Sequence, residues 1–253
     1  MSGYQFDIAT FDRVIFGRLV QYMLFNQKME DATINQHVKW LRAFLKCTYP
    51  AKDVSWMRYL MLTIEEEVIV LTESELKYLI DAELKGYLET TRDLSVFLAT
   101  TGMRFSDSQL FHPHWVTEEK VLEFTQLKTG GKAYPPLYEA SRRVLMRYDG
   151  IPPQISNQKF NDYLKVLFEE LDMKRPVTIQ TVSGRVVCRK VFPLYSVISS
   201  HTARRTFITM CLQKGIPIQD VMKMSWHSDY KSMKPYIRVT SEHLRTVADK
   251  WVI

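Results

Sequence analysis

Four side chains in the last third of the chain carry the reactive groups needed to attack a phosphate. They are His201, Arg204, His227 and Tyr236, and Tyr236 follows His227 by nine residues. An arginine can hold two phosphate oxygens at once, a histidine can exchange a proton near neutral pH, and a tyrosine hydroxyl can act as a nucleophile. Negative charge builds up on a phosphodiester as a nucleophile adds, so fixed cations lower the barrier. Together these residues predict metal-free cleavage of a phosphodiester.

The spacing and the local charge agree with this chemistry. His201 and Arg204 are three residues apart, so on a helix they share one face. Residues 183–253 contain twelve basic and four acidic residues, whereas residues 1–70 contain eight of each. The basic end of the chain is therefore the end with the reactive residues, which favours a polyanionic partner. Solubilising surface charge is the alternative reading of the net charge of +6.

Composition limits the class of protein. The chain has 253 residues, 46% of them hydrophobic and 25% charged, as in a globular protein of one or two domains. It shows no membrane-spanning apolar run and no signal peptide, so we expect a cytoplasmic protein with no membrane association. The three cysteines, Cys47, Cys188 and Cys211, are widely separated and predict reduced thiols, with no disulfide framework and no zinc site. We expect no cofactor.

The elements that must position these residues begin with a small helical bundle at residues 1–66. Apolar residues recur at steps of three and four from Phe11 to Met23 and again from Ile34 to Leu45. Asp31 or Thr33 can cap the second helix, and the segment 56–62 suggests another short helix. We place the domain boundary at 64–71, before a second domain at 70–253.

The second domain is predicted to combine helices with two small hairpins. Thr72 can start a helix, a second helix should span 89–100 and stop at Gly102, and a third should span 157–171. The segment 116–127 has strand character, and Thr129-Gly130-Gly131 supplies a turn before the chain returns at Lys132. A second hairpin is expected around Ser183-Gly184, and the chain from Ser200 onward reads as helical. The predicted class is mainly α with small antiparallel β hairpins, an α+β fold.

Three short segments resemble the motifs of the tyrosine recombinases, the phage-integrase type of site-specific recombinase. Thr101-Gly102-Met103-Arg104-Phe105-Ser106-Asp107 is similar to the first arginine box, and Ser200-His201-Thr202-Ala203-Arg204-Arg205-Thr206-Phe207 is similar to the second. Trp226-His227-Ser228-Asp229, followed by Pro235-Tyr236, resembles the third. The resemblance covers about residues 70–240 and implies a catalytic domain of the DNA breaking–rejoining type. Residues 1–66 match the SAM-like core-binding domain by position and pattern only.

The resemblance implies roles for the clamp and the nucleophile. Arg104 and Arg204 would grip the scissile phosphate, and Tyr236 would attack to leave a 3′-phosphotyrosine bond and a free 5′ hydroxyl. Asp107 matches an acidic position that supports the active site, and it could orient the Arg104 guanidinium. Tyr230 lies near Tyr236 but lacks the family spacing to the third box.

It also implies the proton-transfer groups. Lys128 matches the hairpin lysine that protonates the departing 5′ oxygen, with Lys132 across the turn as its rival. His201 would assist proton transfer from the nucleophile, and His227 would donate to a phosphate oxygen. The family commonly has glycine before that last residue, whereas this chain has Trp226, which either packs beneath the site or competes for the donor position.

Further basic residues are candidates for DNA contacts outside the reacting phosphate. Arg205 points about 100° away from Arg204 on a helix, so a backbone phosphate or an acidic partner is its expected contact. The remaining candidates are Lys132, Lys231, Lys234 and Arg238. The apolar end of the chain, 240–253, is expected to form a short helix that docks on its own domain or on a neighbouring subunit.

The function implied is site-specific DNA recombination or integration, by cleavage, exchange and rejoining between two double-stranded core sites. The expected assembly is a homo-tetramer on paired DNA sites and a monomer or dimer when free, in the cytoplasm at the nucleoid. Two alternatives stay open at this point. One is a type IB topoisomerase-like nicking and closing enzyme, and the other is a non-catalytic relative that only binds DNA.

Overall fold

The computed structural model of the chain describes residues 10–60, 62, 64, 68–128, 130–225, 227 and 229–237. The chain divides into two compact units: Met1–Glu66 with Thr178–Lys190, and Glu67–Val177 with Val191–Ile253. The second hairpin, expected within the later domain, thus belongs in large part to the first unit. No helix among the described residues is both long and apolar enough to span a bilayer.

The first unit is built on two helices, as the periodicity predicted. Helix α1 (Arg13–Gln21) continues into a π-helical turn, Tyr22–Asn26, and α2 spans Asp31–Thr48. Asp12 caps α1, because its Oδ1 accepts hydrogen bonds of 2.9 Å from two backbone N–H groups of the first turn. The apolar stripes meet in a core of eight buried residues: Phe11, Phe16, Met23, Ile34, Val38, Leu45, Val54 and Met57.

Asp31 does not cap α2 but binds a hairpin tip. The cap position is Glu30, and Asp31 is fully buried. Its carboxylate accepts hydrogen bonds from the Tyr59 hydroxyl at 2.8 Å and from the backbone N–H groups of Gly184 and Arg185 at 2.7 and 3.1 Å. These three donors compensate the loss of hydration of a buried charge. Burial and the bond to Asp31 raise the pKa of Tyr59 to about 12.

The prediction of a short helix at 56–62 is wrong. Residues 55–56 form a turn, and the chain is irregular from Met57 to Leu60. The Ser55 N–H donates to Asp53 Oδ1 at 2.9 Å, and Trp56 Nε1 donates to the Asp53 carbonyl at 2.8 Å. These local bonds compete with helical hydrogen bonding, because they hold the backbone in a turn.

The second unit surrounds a buried central helix, α4 (Tyr87–Thr101). Thr72 caps the helix that begins at Glu73, as predicted, and it also forms a capping box with Glu75. The predicted helix at 157–171 is confirmed, but it ends one residue earlier, at Glu170. The other α-helices among the described residues of this unit are α3 (Glu73–Asp81), α5 (Phe105–Ser108), α6 (Glu139–Arg147), α7 (Asn157–Glu170), α8 (Leu194–Val197), α9 (Ser200–Gln213), α10 (Ile218–Ser225) and α11 (Tyr230–Met233).

The first hairpin is shorter than the sequence predicted. Strand β1 (Phe124–Thr125) pairs with β2 (Lys132–Ala133) in antiparallel register, Phe124 opposite Ala133. The prediction of strand structure from residue 116 onward is wrong. The chain turns between Thr117 and Val121, and only isolated β-bridges form there. The Thr117 side chain stabilises this turn by hydrogen bonds to both the N–H and the carbonyl of Val121.

The second hairpin consists of β3 (Pro176–Ser183) and β4 (Val186–Pro193). Gly184 and Arg185 form its two-residue turn and have φ of +58° and +64°. Positive φ at both positions is what a type I′ turn requires, and it aims both N–H groups of the turn at one acceptor. That acceptor is the Asp31 carboxylate.

Gly102 allows the end of α4 to meet α9. It ends the helix with φ of +67°, a conformation that residues with a Cβ rarely adopt. A Cβ added there would lie 2.8 Å from Cε1 of Phe207 and closer still to its Cδ1. The absence of a side chain at Gly102 therefore determines how closely the first and second arginine segments approach.

Candidate active site

The two candidate clamp arginines lie on elements that converge beside Gly102. Arg104 immediately precedes α5, and Arg204 lies in the second turn of α9. Arg204 is buried; its Nη1 donates to the Gly102 carbonyl at 2.6 Å, and its Nη2 donates to the Ser225 carbonyl. Burial, followed by repulsion from Arg104, lowers the pKa of Arg204 to about 9. The guanidinium therefore stays charged at neutral pH, held in a fixed orientation.

Gln126, and not Asp107 as expected from the sequence, bonds to the guanidinium of Arg104 and orients it. Arg104 Nη1 donates to Gln126 Oε1, and Gln126 Nε2 donates to the Ser225 carbonyl at 3.2 Å. The Ser225 carbonyl thus accepts from both Gln126 and Arg204. Neither Gln126 nor Ser225 was predicted. The sequence did contain a signal for Gln126. Every second residue around β1 is buried, namely Leu122, Phe124 and Gln126, so a polar side chain lies on the inner face.

Asp107 instead holds the hairpin that carries Lys128. Its Oδ1 accepts a 3.0 Å hydrogen bond from the backbone N–H of Leu127, the residue before Lys128. Burial raises the pKa of Asp107, although the Leu127 N–H, Arg104 and Arg204 oppose the shift. The carboxylate is therefore bonded to the hairpin backbone one residue before Lys128.

The structure distinguishes the two candidate lysines. Lys132 Nζ lies 3.1 Å from Glu123 Oε1, and this carboxylate raises the pKa of Lys132. Lys128 is exposed at the turn and lies near enough to His201 to help lower the pKa of that histidine. Lys128 is thus close enough to His201 to affect its pKa, whereas Lys132 is paired with Glu123.

His201 lies in the first turn of α9, whose start is fixed by a capping box between Ser199 and Thr202. The ring reaches solvent but loses part of its hydration. This loss lowers its pKa, and Arg205 and Arg204 lower it further. At neutral pH His201 is therefore predominantly uncharged and can accept a proton.

The rings of His227 and Tyr236 lie close to each other. Their ring centroids are 6.2 Å apart, with an angle of 58° between the planes. Burial and then Arg204 and Arg104 lower the pKa of His227 to about 4. Tyr236 ends a short 3-10 helix, Lys234–Tyr236, packs on the apolar cluster beneath α9, and lies close enough to Arg204 to oppose the lowering of the arginine's pKa.

The remaining candidates lie around this centre. Lys231 and Lys234 are exposed, Arg205 is half-buried, and Tyr230 is 59% exposed, unlike the half-buried Tyr236. Arg238, Trp226 and the terminal segment 240–253 lie outside the described residues. No group of three or more histidine, cysteine or acidic side chains suited to a metal occurs in the part of the chain that the structure describes.

Comparison with known proteins gives a family for this arrangement. Residues 70–243 match the phage integrase family. The chain is 27% identical over 186 residues to tyrosine recombinase XerA of Pyrococcus furiosus, covering 71% of this chain and 60% of that protein. It is 23% identical over 243 residues to tyrosine recombinase XerC of Anoxybacillus flavithermus, covering 91% and 79%. The match thus spans less than two thirds of XerA.

Solved structures share the fold. XerH recombinase bound to a palindromic difH substrate superposes with a TM-score of 0.66 at 12% identity, covering 97% of this chain and 74% of that one. The Tn1549 transposon integrase in complex with circular intermediate DNA gives a TM-score of 0.63 at 14% identity, covering 94% and 85%. The chain belongs to the phage integrase family, the tyrosine recombinases.

Proposed function

We propose that this chain is a site-specific DNA recombinase that cuts and rejoins strands through a 3′-phosphotyrosine intermediate. The proposal rests on four residues that come from separate segments and lie close together: Arg104, Arg204, His227 and Tyr236. Both arginines lower the pKa of His227, and Arg204 also interacts electrostatically with Tyr236. The ring of Tyr236 lies beside that of His227. Two fixed guanidinium groups beside a tyrosine hydroxyl can bind a phosphate and present a nucleophile to it.

The reaction is a transesterification. Arg104 and Arg204 hold the non-bridging oxygens, the Tyr236 oxygen forms a bond to phosphorus, and the bond from phosphorus to the 5′ oxygen breaks. His201 takes the phenol proton, Lys128 supplies a proton to the 5′ oxygen, and His227 contacts a phosphate oxygen. The phosphotyrosine bond keeps the energy of the phosphodiester, so attack by a 5′ hydroxyl rejoins a strand without ATP. Asp107 acts by holding the hairpin of Lys128.

The partner in this proposal is double-stranded DNA with specific core sites. Residues 1–66 form the core-site domain, and residues 70–253 form the catalytic domain. Lys132, Lys231, Lys234, Arg205 and Arg238 contribute phosphate contacts, so affinity should fall steeply with added salt. The chain acts as a homo-tetramer on paired sites and as a monomer or dimer when free, in the cytoplasm at the nucleoid. DNA-bound structural relatives and the basic carboxyl-terminal third support this partner.

A covalent trap tests the nucleophile. A duplex is first selected from a random pool by binding to the wild-type protein, and is then nicked beside each candidate phosphate so that the cut fragment diffuses away. We expect a DNA–protein adduct that denaturing gels resolve, unchanged binding but no adduct with Tyr236→Phe, and a normal adduct with the matched control Tyr230→Phe. An adduct formed by Tyr236→Phe would exclude the assignment.

Strand exchange tests the wider activity. Two labelled duplexes that carry the selected site should yield recombinant products with the wild-type protein. Relaxation of a supercoiled plasmid without any exchanged product would assign a topoisomerase-like nicking and closing activity. Binding without any adduct would leave a DNA-binding relative.

A further inference from the structure

Ser225, at the end of α10, contacts the ring of His227 through its side chain. Its Oγ lies 2.6 Å from the Val221 carbonyl oxygen and 2.8 Å from Nδ1 of His227. Ser225 is fully buried. The hydroxyl therefore has two hydrogen-bond partners in a buried position, where an unpaired polar atom would lower the stability of the fold.

The hydroxyl has one proton to share between these partners. A carbonyl oxygen can only accept, so a contact of 2.6 Å between two oxygens requires the Ser225 proton to point at Val221. The Nδ1 contact must then use a proton of the imidazole, donated to a lone pair of Ser225 Oγ. The reverse arrangement would leave two oxygen lone pairs facing each other in a buried site.

We infer that Ser225 is a positioning residue that holds His227 in the tautomer with its proton on Nδ1, so that Nε2 is an acceptor until the ring takes up a second proton. The inference rests on the proposed function, because it concerns how His227 meets the scissile phosphate. A neutral ring of this tautomer offers a lone pair, and a phosphate oxygen offers another. Contact between His227 and phosphate therefore requires the imidazolium form.

The surroundings explain why that proton is absent before DNA binds. The described groups that face His227 are Arg204 of α9, Arg104 before α5, Tyr236 of the 3-10 helix, and Ser225 itself. Both arginines and the burial of the ring lower the pKa of His227 to about 4. A bound phosphate contributes negative charge and offsets the two guanidinium groups, which favours uptake of a proton. Proton uptake and phosphate binding are thus linked at one ring.

The free protein tests the tautomer directly. Nitrogen-15 spectra of protein labelled in histidine, with the His227 signals assigned by their loss in His227→Gln, distinguish the two neutral forms. At pH 8 we expect Nδ1 to be protonated and Nε2 to be bare in wild-type protein. In Ser225→Ala the ring loses its acceptor and should shift to the Nε2–H form, whereas Ser225→Thr, which keeps a hydroxyl, should retain the wild-type form. Nε2–H in wild-type protein would overturn the inference.

Two further readouts exclude a merely structural role for Ser225. With Tyr236→Phe and the selected duplex at pH 7, both ring nitrogens of His227 should become protonated; a ring that stays neutral would contradict the linkage. Adduct formation by wild-type protein should fall about tenfold per pH unit above the pKa of His227 in the complex. That fall should be smaller in Ser225→Ala, because a neutral Nε2–H ring can donate, whereas a simple loss of folding would lower activity equally at every pH.

The outcomes separate this inference from the proposed activity. The spectra of the free protein do not depend on cleavage, so they test the tautomer even in a protein that forms no adduct. The Tyr236 trap tests cleavage whichever tautomer is found. Thermal unfolding of both Ser225 variants shows whether each is folded under the conditions of the spectra.

Discussion

The carboxylate of Asp107 accepts a 3.0 Å hydrogen bond from the backbone N–H of Leu127. Because Lys128 is the next residue, this bond fixes the base of the turn that presents the proposed general acid. We predict that Asp107→Ala slows adduct formation by about tenfold to a hundredfold, since loss of this part-buried hydrogen bond, worth about 1–3 kcal/mol, loosens the hairpin. Binding of the selected duplex should change little. Asp107→Asn, which keeps an acceptor oxygen, should lose less; equal losses in both variants would assign the effect to charge.

The two hairpin lysines can be separated chemically. A substrate with sulfur in place of the bridging 5′ oxygen has a leaving group that needs no proton, so it should restore cleavage only where a general acid has been removed. We predict that Lys128→Ala loses cleavage of the normal substrate by about a hundredfold or more and regains it with the sulfur substrate. Lys132→Ala, which removes the partner of Glu123, should show no such rescue: its cleavage rates for the normal and the sulfur substrate should be similar to each other. Rescue of Lys132→Ala alone would exchange the two assignments.

Gly102→Ala should destabilise the protein and impair the clamp together. The new Cβ meets the ring of Phe207 and adopts a φ of +67°, so we expect a loss of about 2–4 kcal/mol in the free energy of unfolding. The Gly102 carbonyl, which holds Arg204, should move with the backbone. Gly215→Ala is the matched control, because its φ is +78° and nothing lies within 4 Å of its added Cβ. Urea unfolding should show a loss of only about 1 kcal/mol for the control.

Acid should destabilise the protein partly through His227. The pKa of His227 is about 4 in the folded protein and near 6.5 in the unfolded chain, so between these values the unfolded chain binds more protons. The free energy of unfolding should therefore fall as pH drops from about 6.5 to 4, with His227 contributing about 1–2 kcal/mol after allowance for solvent screening. In His227→Gln the decline over this window should be shallower. Parallel pH curves for the two proteins would contradict the expectation.

Sequence patterns predicted the elements whose own residues determine them. Helix α7 followed from apolar periodicity, and the end of α4 at Gly102 and the turn at Gly130 followed from glycine chemistry. The patterns failed where a side chain bonds to distant backbone, as Asp31 does at Gly184. Hydrogen-bond partners separated by more than a hundred residues leave no periodic signal in the chain.

The candidate site shows the same division. Reactive side chains such as Arg204 and Tyr236 are evident from residue type and spacing. The Ser225 carbonyl, which accepts from Gln126 and Arg204, is a backbone atom that every residue possesses, so no residue type marks it. Positioning atoms of this kind emerge only once the chain is folded.

The turn of Gly184 and Arg185 reaches Asp31 across 153 and 154 positions of the chain. A ribosome translates the first helices long before it reaches these two residues. Until then the Asp31 carboxylate has the Tyr59 hydroxyl as a donor but lacks the two backbone N–H groups of the hairpin turn. The same holds for a fragment cut after Glu66. Residues 1–66 expressed alone should therefore be less stable than the same residues in the whole chain. Grafting the hairpin sequence onto that fragment should restore the two missing donors and the lost stability.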